Sequence, residues 1–269
     1  MFAGKWARWC AVILLAFSFN AGADAQARVP QEALRVAVAA DFYRPLQVVA
    51  SAFTRESGIR VIVSPGSSGG LYAQITNAAP YDIFLSADAE YPRRLVAAGL
   101  ATGPSRFTYA LGVLVLWSGQ AHPPAGPAAL RDARFAHLAL ANPRLAPYGR
   151  AAQEVLARIG VLEPLRSRLV FGEDVGQTLQ FALSGAAQYA FVSRAQLLAA
   201  GLWQRGSHWL VPATLYTPIE QQAVLLVHAR DPEAARRFLR FLRGPARPLI
   251  MRLGYRLPQA AGFQPPAHR

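Results

Sequence analysis

Cysteine is almost absent from this sequence: Cys10 is the only one in 269 residues. It lies in a leader segment that we predict to be removed, so the mature chain has no disulfide, no thiol nucleophile and no cysteine-based metal site. The five histidines show no spacing typical of metal ligands (His122, His137, His208, His228 and His268). We therefore expect no bound metal cation.

The sequence also lacks an apolar run long enough to cross a membrane. Near its start, Lys5 and Arg8 precede a short apolar run at 11–19, and Ala23-Asp24-Ala25 fits the small-x-small cleavage rule. These features predict that residues 1–25 are a cleaved secretory signal peptide. We expect an exported, soluble protein located in the periplasm.

Acidic residues are few: 15 Asp and Glu stand against 28 Lys and Arg, and the formal net charge is +13 at pH 7. Such a surplus can indicate nucleic-acid binding. Here the arginines are dispersed, aromatic residues do not alternate with a basic stripe, and the protein is predicted to be exported. We expect no nucleic-acid partner. Nucleotide motifs are missing as well, because no Gly-Lys-Ser/Thr follows the glycine-rich loop and G-x-G-x-x-G does not occur.

Apolar runs alternate with helical periods along the chain, which predicts an α/β protein with mostly parallel sheets. The run at 34–39 is the first strand, apolar residues at helical spacing from 46 to 53 predict the first helix, and Gly58 ends that helix. The apolar run at 109–117 predicts one long strand. The proline- and alanine-rich segment at 122–129 is interpreted as a loop.

Four turns stand where a predicted strand ends and a helix begins, and in open α/β sheets ligands bind at this end of the strands. The free N–H groups of a helix start favour an anion there. Two turns lie in each half of the chain, so they can face each other across a cleft. The alternative is that Ser68 and Asp174 only cap their helices. The turns are Ala39–Phe42, Gly66–Gly70, Asn142–Gly149 and Gly172–Gln177.

Six segments, in chain order, resemble one family along nearly the whole mature chain, from Leu34 to Leu257. They read GSSGGLYAQI, APYDIFLSAD, SRFTYALGVLVLWS, NPRLAPYG, GEDVGQT and PIEQQAVLL. This combination is similar to the periplasmic molybdate-binding proteins of molybdate ABC transporters. The resemblance implies a two-lobed, type II periplasmic binding protein fold of the α/β class, with the ligand in a cleft between the lobes.

The resemblance also implies which residues bind the ligand. Carried over position by position, the second serine of the Gly-Ser-Ser-Gly loop is Ser68, and the tyrosine of the Ala-Pro-Tyr-Gly turn is Tyr148. The valine whose backbone N–H reaches the anion is Val175. The pair in the first turn falls on Ala40 and Asp41.

That pair departs from the family pattern, which usually has a serine, or a threonine or serine followed by asparagine. An ionised carboxylate about 3 Å from a dianion repels it, at a cost of several kcal/mol in a low dielectric. Three roles for Asp41 avoid this cost. It caps the helix at Pro45, it has a raised pKa and donates a proton, or it accepts a hydrogen bond from a protonated oxyanion. We expect the cap.

The domain boundaries predicted on this basis divide the mature chain into two lobes. The first lobe is discontinuous, at 31–112 and 221–262, and the second lobe spans 113–220. Residues 263–269 are expected to form a flexible tail.

The function that the resemblance implies is capture of molybdate, and of tungstate too, for delivery to the membrane permease subunits of an ABC transporter. It implies a monomer, no catalysis and no organic cofactor, since the oxyanion is the ligand. A protonated oxyanion such as phosphate is the alternative ligand, because Asp41 could accept its proton in a hydrogen bond.

A serine hydrolase is the alternative from another functional class. The turn Gly66–Gly70 matches the G-x-S-x-G nucleophile elbow, in the strand–turn–helix context that this motif requires. An esterase using Ser68 needs an acid and a later histidine, for example Asp174 with His208 or His228. No histidine-glycine-rich segment upstream offers an oxyanion hole, so we expect a binding protein and not an enzyme.

Overall fold

The computed structural model describes residues 33–121 and 125–258. The predicted signal peptide and the predicted tail at 263–269 lie outside these described residues. No helix among them is long and apolar enough to span a membrane. The strands of the described chain are β1 Leu34–Ala39, β2 Val61–Gly66, β3 Ile83–Ser86, β4 Phe107–Gly112, β5 Leu114–Ser118, β6 Leu138–Ala141, β7 Leu169–Gly172, β8 Tyr189–Ser193, β9 Ser207–Leu210 and β10 Ile219–Leu225.

Helices alternate with these strands, as the sequence pattern predicts. The α-helices are α1 Tyr43–Ser57, α2 Ser68–Thr76, α3 Glu90–Ala97, α4 Pro127–Asp132, α5 Pro147–Arg158, α6 Leu162–Leu165, α7 Val175–Leu183, α8 Arg194–Ala199, α9 Pro232–Arg243 and α10 Arg247–Arg252. Short 3₁₀ helices occupy Ala40–Phe42, Gly103–Ser105, Arg166–Arg168 and Ala213–Leu215.

The strands form two five-stranded sheets of the same design. The first has the order β2-β1-β3-β10-β4, and the second has the order β7-β6-β8-β5-β9. In the first sheet β2, β1 and β3 are parallel, β10 is antiparallel to β3, and β4 is antiparallel to β10. In the second sheet β7, β6 and β8 are parallel, β5 is antiparallel to β8, and β9 is antiparallel to β5. We name the first sheet with its flanking helices the first lobe, and the second sheet with its helices the second lobe. The predicted α/β class is confirmed.

Helix α1 shows how the local sequence produces this alternation. Its residues Leu46, Val49 and Phe53 recur at helical spacing and are fully or almost fully buried. Gly58 then ends the helix in the left-handed conformation at φ 76°, with its N–H bonded to the carbonyl of Thr54. Both features match the prediction made from the sequence.

The inner strands of the first sheet consist of nearly continuous runs of apolar residues, because helices cover both faces of this sheet. On one face, Val38 packs in a cluster with Phe53 of α1 and Phe238 of α9, whose rings meet edge to face at 5.1 Å. On the other face, Phe84 of β3 packs in a separate cluster with Leu71 of α2. A third cluster surrounds the second sheet.

The single long strand predicted at 109–117 is wrong. The chain forms β4 in the first sheet and β5 in the second, and Val113 stands between them. The chain therefore passes from one lobe to the other inside this apolar run. The loop predicted at 122–129 is also partly wrong, because α4 begins at Pro127; residues 122–124 lie outside the described chain.

Candidate functional site

The ends of several strands meet at one small buried cavity. It is lined by residues that follow β1, β2, β3, β6 and β7, and therefore by both lobes. The volume that the centre of a water molecule could occupy there is about 10 Å³. A cavity of that size holds about one water molecule, so the lining residues of the two lobes lie close together. The lining residues are Ala39, Ala40, Asp41, Gly66, Ser67, Ser68, Ala87, Ala146, Pro147, Tyr148, Asp174 and Val175.

The five residues predicted from the family resemblance are all among them: Ala40, Asp41, Ser68, Tyr148 and Val175. Three come from the first lobe and two from the second. Their role in ligand binding stays a prediction, but they converge although 135 positions separate the first from the last.

Ser68 lies at the first position of α2 and is almost fully buried. The helix cap is its neighbour Ser67, whose Oγ accepts a hydrogen bond from the Gly70 N–H at 3.2 Å. The interpretation of Ser68 as a helix cap is therefore wrong. Its Oγ instead accepts a hydrogen bond from the Ala87 N–H at 3.0 Å. This bond leaves the hydroxyl proton of Ser68 free to be donated into the cavity.

Asp174, in contrast, does cap its helix. Its Oδ1 accepts hydrogen bonds from Gly176 N–H at 2.7 Å and Gln177 N–H at 3.0 Å. Val175 is the first residue of α7, so its N–H has no acceptor within the helix. The cap therefore leaves this N–H, together with the positive end of the α7 dipole, available at the cavity.

Tyr148 lies in the first turn of α5, where Pro147 fixes the start of the helix. Its side chain is buried and its hydroxyl has no hydrogen-bond partner among the described residues. Burial, and then the charge of Asp41, raise the pKa of Tyr148 well above its usual value. The hydroxyl therefore keeps its proton, and the carboxyl of Asp41, whose pKa it lowers, lies close enough to interact with it.

Asp41 is buried at the start of the 3₁₀ turn that follows β1, and only 1% of its surface is exposed. Its Oδ2 accepts hydrogen bonds from Gln221 Nε2 at 2.9 Å and from the Tyr255 hydroxyl at 2.7 Å. Its Oδ1 has no hydrogen-bond partner among the described residues. One oxygen of the carboxyl group is thus held by the first lobe and the other is unsatisfied.

Burial raises the pKa of Asp41 from its ordinary value of 3.8 to about 7. The hydroxyls of Tyr255 and Tyr148 lie close to the carboxyl and lower the pKa by less than burial raises it. The expected helix cap is wrong: α1 has no side-chain cap, and the Asp41 carboxyl bonds to Gln221 and Tyr255 instead. Of the three roles considered for Asp41, this geometry removes the cap and leaves two: a carboxyl that donates its own proton, and a carboxylate that accepts a hydrogen bond from a protonated oxyanion.

No arginine or lysine lines the cavity. Arg150, on α5 near the cavity, forms an ion pair with Asp88 of the first lobe. Arg44 is exposed on α1. An anion in this cavity would therefore be bound by neutral donors, namely hydroxyls and the N–H groups of helix starts. Such dipoles suffice when they converge and water is excluded.

The two lobes make direct contacts beside the cavity. The Gly69 N–H in α2 donates to the carbonyl of Leu145 in the second lobe at 2.9 Å. The hydroxyl of Tyr91 donates to the Arg144 carbonyl at 3.3 Å. Together with the Arg150 ion pair, these bonds fix the closed arrangement of the lobes.

Ser68 shares no hydrogen bond with a histidine in the part of the chain that the structure describes. His208 stacks on Trp203 with ring centroids 4.0 Å apart, and His228 is exposed. Asp174 is engaged as a helix cap and shares no hydrogen bond with a described histidine. Ser68 therefore has no general base within the described chain, which removes the basis for a hydrolase triad.

Sequence reasoning missed the partners of the Asp41 carboxyl. Gln221 stands in the apolar strand β10, and a polar residue in such a run was a usable signal. Tyr255 gave no signal, because it is 214 positions away in sequence and follows a short helix. The ion pair of Asp88 with Arg150 was missed for the same reason.

Comparison with known proteins is consistent with this site. Residues 34–256 match the family model of bacterial extracellular solute-binding proteins. The molybdate-binding protein ModA of Azotobacter vinelandii is 43% identical over 226 residues, covering 83% of this chain and 90% of that protein. ModA of Rhodobacter capsulatus is 41% identical over 246 residues, covering 88% and 96% respectively. The solved A. vinelandii periplasmic molybdate-binding protein matches with a TM-score of 0.81 and 41% identity, covering 84% of this chain and 100% of that one. The predicted two-lobed architecture is confirmed.

Proposed function

Since the chain belongs to the bacterial extracellular solute-binding proteins and, among them, to the molybdate-binding proteins, we propose that it captures molybdate and delivers it to the permease of an ABC transporter. The resemblance seen in the sequence is confirmed by these relatives. The observation that carries the proposal is the convergence of Ser68, Tyr148 and Val175 on one closed cavity without a cationic side chain.

The donors at this cavity suit a small, fully dehydrated oxyanion. The Ser68 hydroxyl and the Val175 N–H come from opposite lobes, so an anion between them completes hydrogen bonds on both sides. The Tyr148 hydroxyl forms no hydrogen bond of normal geometry within the described chain, so it can donate its proton to an oxyanion that binds in the cavity. Binding and closure of the lobes therefore favour each other.

Tungstate is included in the proposal because the site recognises a tetrahedral arrangement of oxygens and not the central atom. Sulfate has shorter bonds between its central atom and its oxygens. It would leave the same donors at longer hydrogen-bond distances, and a hydrogen bond weakens steeply outside its normal geometry. Selectivity thus comes from the size of the closed cavity.

Closure is proposed to occur by a hinge at the connections between the lobes, near 109–112 and 218–221. The predicted lobes, at 31–112 with 221–262 and at 113–220, stay a prediction. Strand β10 already begins at Ile219 in the first sheet. The protein is proposed to act in the periplasm, as a monomer, after export of the chain.

Thermal unfolding tests the proposed function. A ligand at about 100 times its Kd adds roughly 2.7 kcal/mol to the free energy of unfolding, which raises the Tm by about 5–10 °C for a chain of this size. We expect this shift with molybdate and tungstate and a much smaller one with sulfate or phosphate. A shift with phosphate alone, or with none of the four anions, would contradict the proposed ligand.

Ser68→Ala tests the site. The substitution removes one hydroxyl donor to a charged ligand, so we expect molybdate affinity to fall by about 1–3 kcal/mol, measured by isothermal titration calorimetry. Ser184→Ala is the matched control, because this exposed serine donates only to the Phe181 carbonyl at the end of α7. Equal affinity of Ser68→Ala and the control would remove Ser68 from the site.

A further inference from the structure

We propose that Asp41 is a specificity-determining residue: its carboxyl is protonated in the complex, and Oδ1–H donates to one oxygen of the bound dianion. At alkaline pH, where the free carboxyl is ionised, capture of the oxyanion therefore takes up one proton from solvent, which returns to solvent on release. This inference rests on the proposed function and deepens it, since it assigns the charge state in which the site accepts its ligand.

The hydrogen bonds of Asp41 decide which oxygen carries the proton. Oδ2 already accepts hydrogen bonds from Gln221 Nε2 and from the Tyr255 hydroxyl. An oxygen that accepts two donors is poorly placed to carry a proton of its own. Oδ1 is buried and forms no hydrogen bond of normal geometry among the described residues, although the Tyr148 hydroxyl lies close to the carboxyl. It is therefore the oxygen available to a ligand in the cavity that Asp41 lines.

Charge leads to the same assignment. An ionised Asp41 would place a carboxylate against a dianion in a buried site, and no cationic side chain lines the cavity to offset the repulsion. A buried carboxyl group without a cationic partner becomes neutral by taking up a proton. A protonated Asp41 converts the repulsion into a donated hydrogen bond.

The titratable groups that face Asp41 do not reverse the effect of its burial. Tyr109, Tyr148 and Tyr255 surround the carboxyl, and burial followed by the charge of Asp41 raises the pKa of each well above its usual value. They therefore stay neutral. Burial places the pKa of Asp41 itself at about 7, close to the pH at which the protein would act.

Helices α1, α7 and α8 pack against the 3₁₀ turn that carries Asp41. The charged groups at the ends of these helices are the exposed Arg44 on α1, Asp174 at the start of α7, and Arg194 at the start of α8. Asp174 adds negative charge at the cavity. The guanidinium of Arg194 lies over the ring of Trp203 at 5.3 Å and does not contribute to the pKa of Asp41.

The test is a titration of the full protein with molybdate between pH 6 and pH 9, in pairs of buffers that differ in ionisation enthalpy. The difference between buffers gives the number of protons taken up on binding. We expect uptake to rise from near zero at pH 6 to near one at pH 8.5. The affinity should be nearly constant below pH 7 and fall by up to tenfold per pH unit above it, because the free protein must then first gain the proton.

Two variants separate this mechanism from a general effect of pH. Asp41→Asn keeps a donor at the Oδ1 position and does not titrate, so proton uptake should vanish and affinity at pH 8.5 should rise at least tenfold. Tyr255→Phe removes a hydrogen bond that lowers the pKa of Asp41, so the fall in affinity should begin at a higher pH. Asp132→Asn, which changes an exposed carboxyl, should follow the unmodified protein.

The outcomes distinguish this inference from the proposed function. Molybdate binding without proton uptake at any pH would overturn the inference and leave the function standing. The same uptake in Asp41→Asn would assign the proton to another group. Binding of phosphate alone, lost in Asp41→Asn, would show that the ligand brings the proton, and this would overturn both. An absence of oxyanion binding at every pH would contradict the proposed function itself.

Discussion

The substitution Gly69→Val is expected to weaken molybdate binding by about 100-fold or more. A Cβ at this position would lie 3.1 Å from both Cα and the carbonyl oxygen of Leu145, and 2.6 Å from the Tyr91 hydroxyl. The tyrosine can move, but Leu145 is backbone of the second lobe and cannot yield without separating the lobes. Overpacking of this kind costs roughly 3 kcal/mol, which corresponds to the expected loss of affinity. Calorimetric titration measures it.

The control for this prediction is Gly126→Val. Gly126 has extended backbone, and a Cβ there would meet no heavy atom within 4 Å. We expect its affinity to equal that of the unmodified protein. The ligand-free Tm of Gly69→Val should change little, because the clash with Leu145 arises only when the lobes close and Tyr91, in the same lobe as Gly69, meets the new Cβ with the end of a side chain that can move. Unchanged affinity would mean that the lobes bind the anion without the Gly69–Leu145 contact; a collapsed Tm would mean that the clash acts within one lobe.

The second large effect concerns stability in the absence of ligand. Folding raises the pKa of Asp41 from 3.8 to about 7. Between pH 3.8 and about pH 7 the folded protein therefore keeps a proton on Asp41 that the unfolded chain has already released. The protonated Asp41 contributes to the free energy of unfolding. Its contribution is fully present below about pH 4 and is lost as pH rises to about 7. At 1.36 kcal/mol per pKa unit, it amounts to about 4 kcal/mol.

Asp41→Asn removes the loss of stability between about pH 4 and pH 7, because the amide is neutral at every pH. Its carbonyl oxygen can accept the hydrogen bonds from Gln221 and Tyr255 that Oδ2 now accepts. We expect the variant to exceed the unmodified protein in free energy of unfolding by about 2–4 kcal/mol at pH 8, with the difference growing between pH 4 and 7 and constant above. Urea unfolding at several pH values measures the difference, and Asp132→Asn is the control. A variant that is less stable at pH 8 would show that Asp41 is better accommodated as a carboxylate.

Much of the fold could be predicted because it is written in short-range patterns. The strand β1 has the predicted bounds, and α1 ends at Gly58 as expected, since apolar periodicity and a left-handed glycine act within one or two turns. The break at Val113 could not be predicted in this way. The run at 109–117 is apolar throughout, and only the pairing of β4 with β10 and of β5 with β8 divides it between two sheets.

The site was predictable to the same degree. The turns that hold Ser68, Tyr148 and Val175 carry local signals in glycine, proline and helix starts. The resemblance to a family added which of their residues face the ligand. Asp41 was found as well, but its role was not: the expected cap depends on a few neighbouring residues, whereas its actual partners, Gln221 and Tyr255, are 180 and 214 positions away.

By itself, therefore, the sequence determined the α/β class and the turns that can bind an anion, because each depends on residues close together in the chain. Only the tertiary structure buried the carboxyl of Asp41 and placed Gln221 and Tyr255 against it. Its pKa is set by loss of water and by donors from distant segments, and both exist only after the lobes have folded and met. The same holds for the contact of Gly69 with Leu145, which no local pattern encodes.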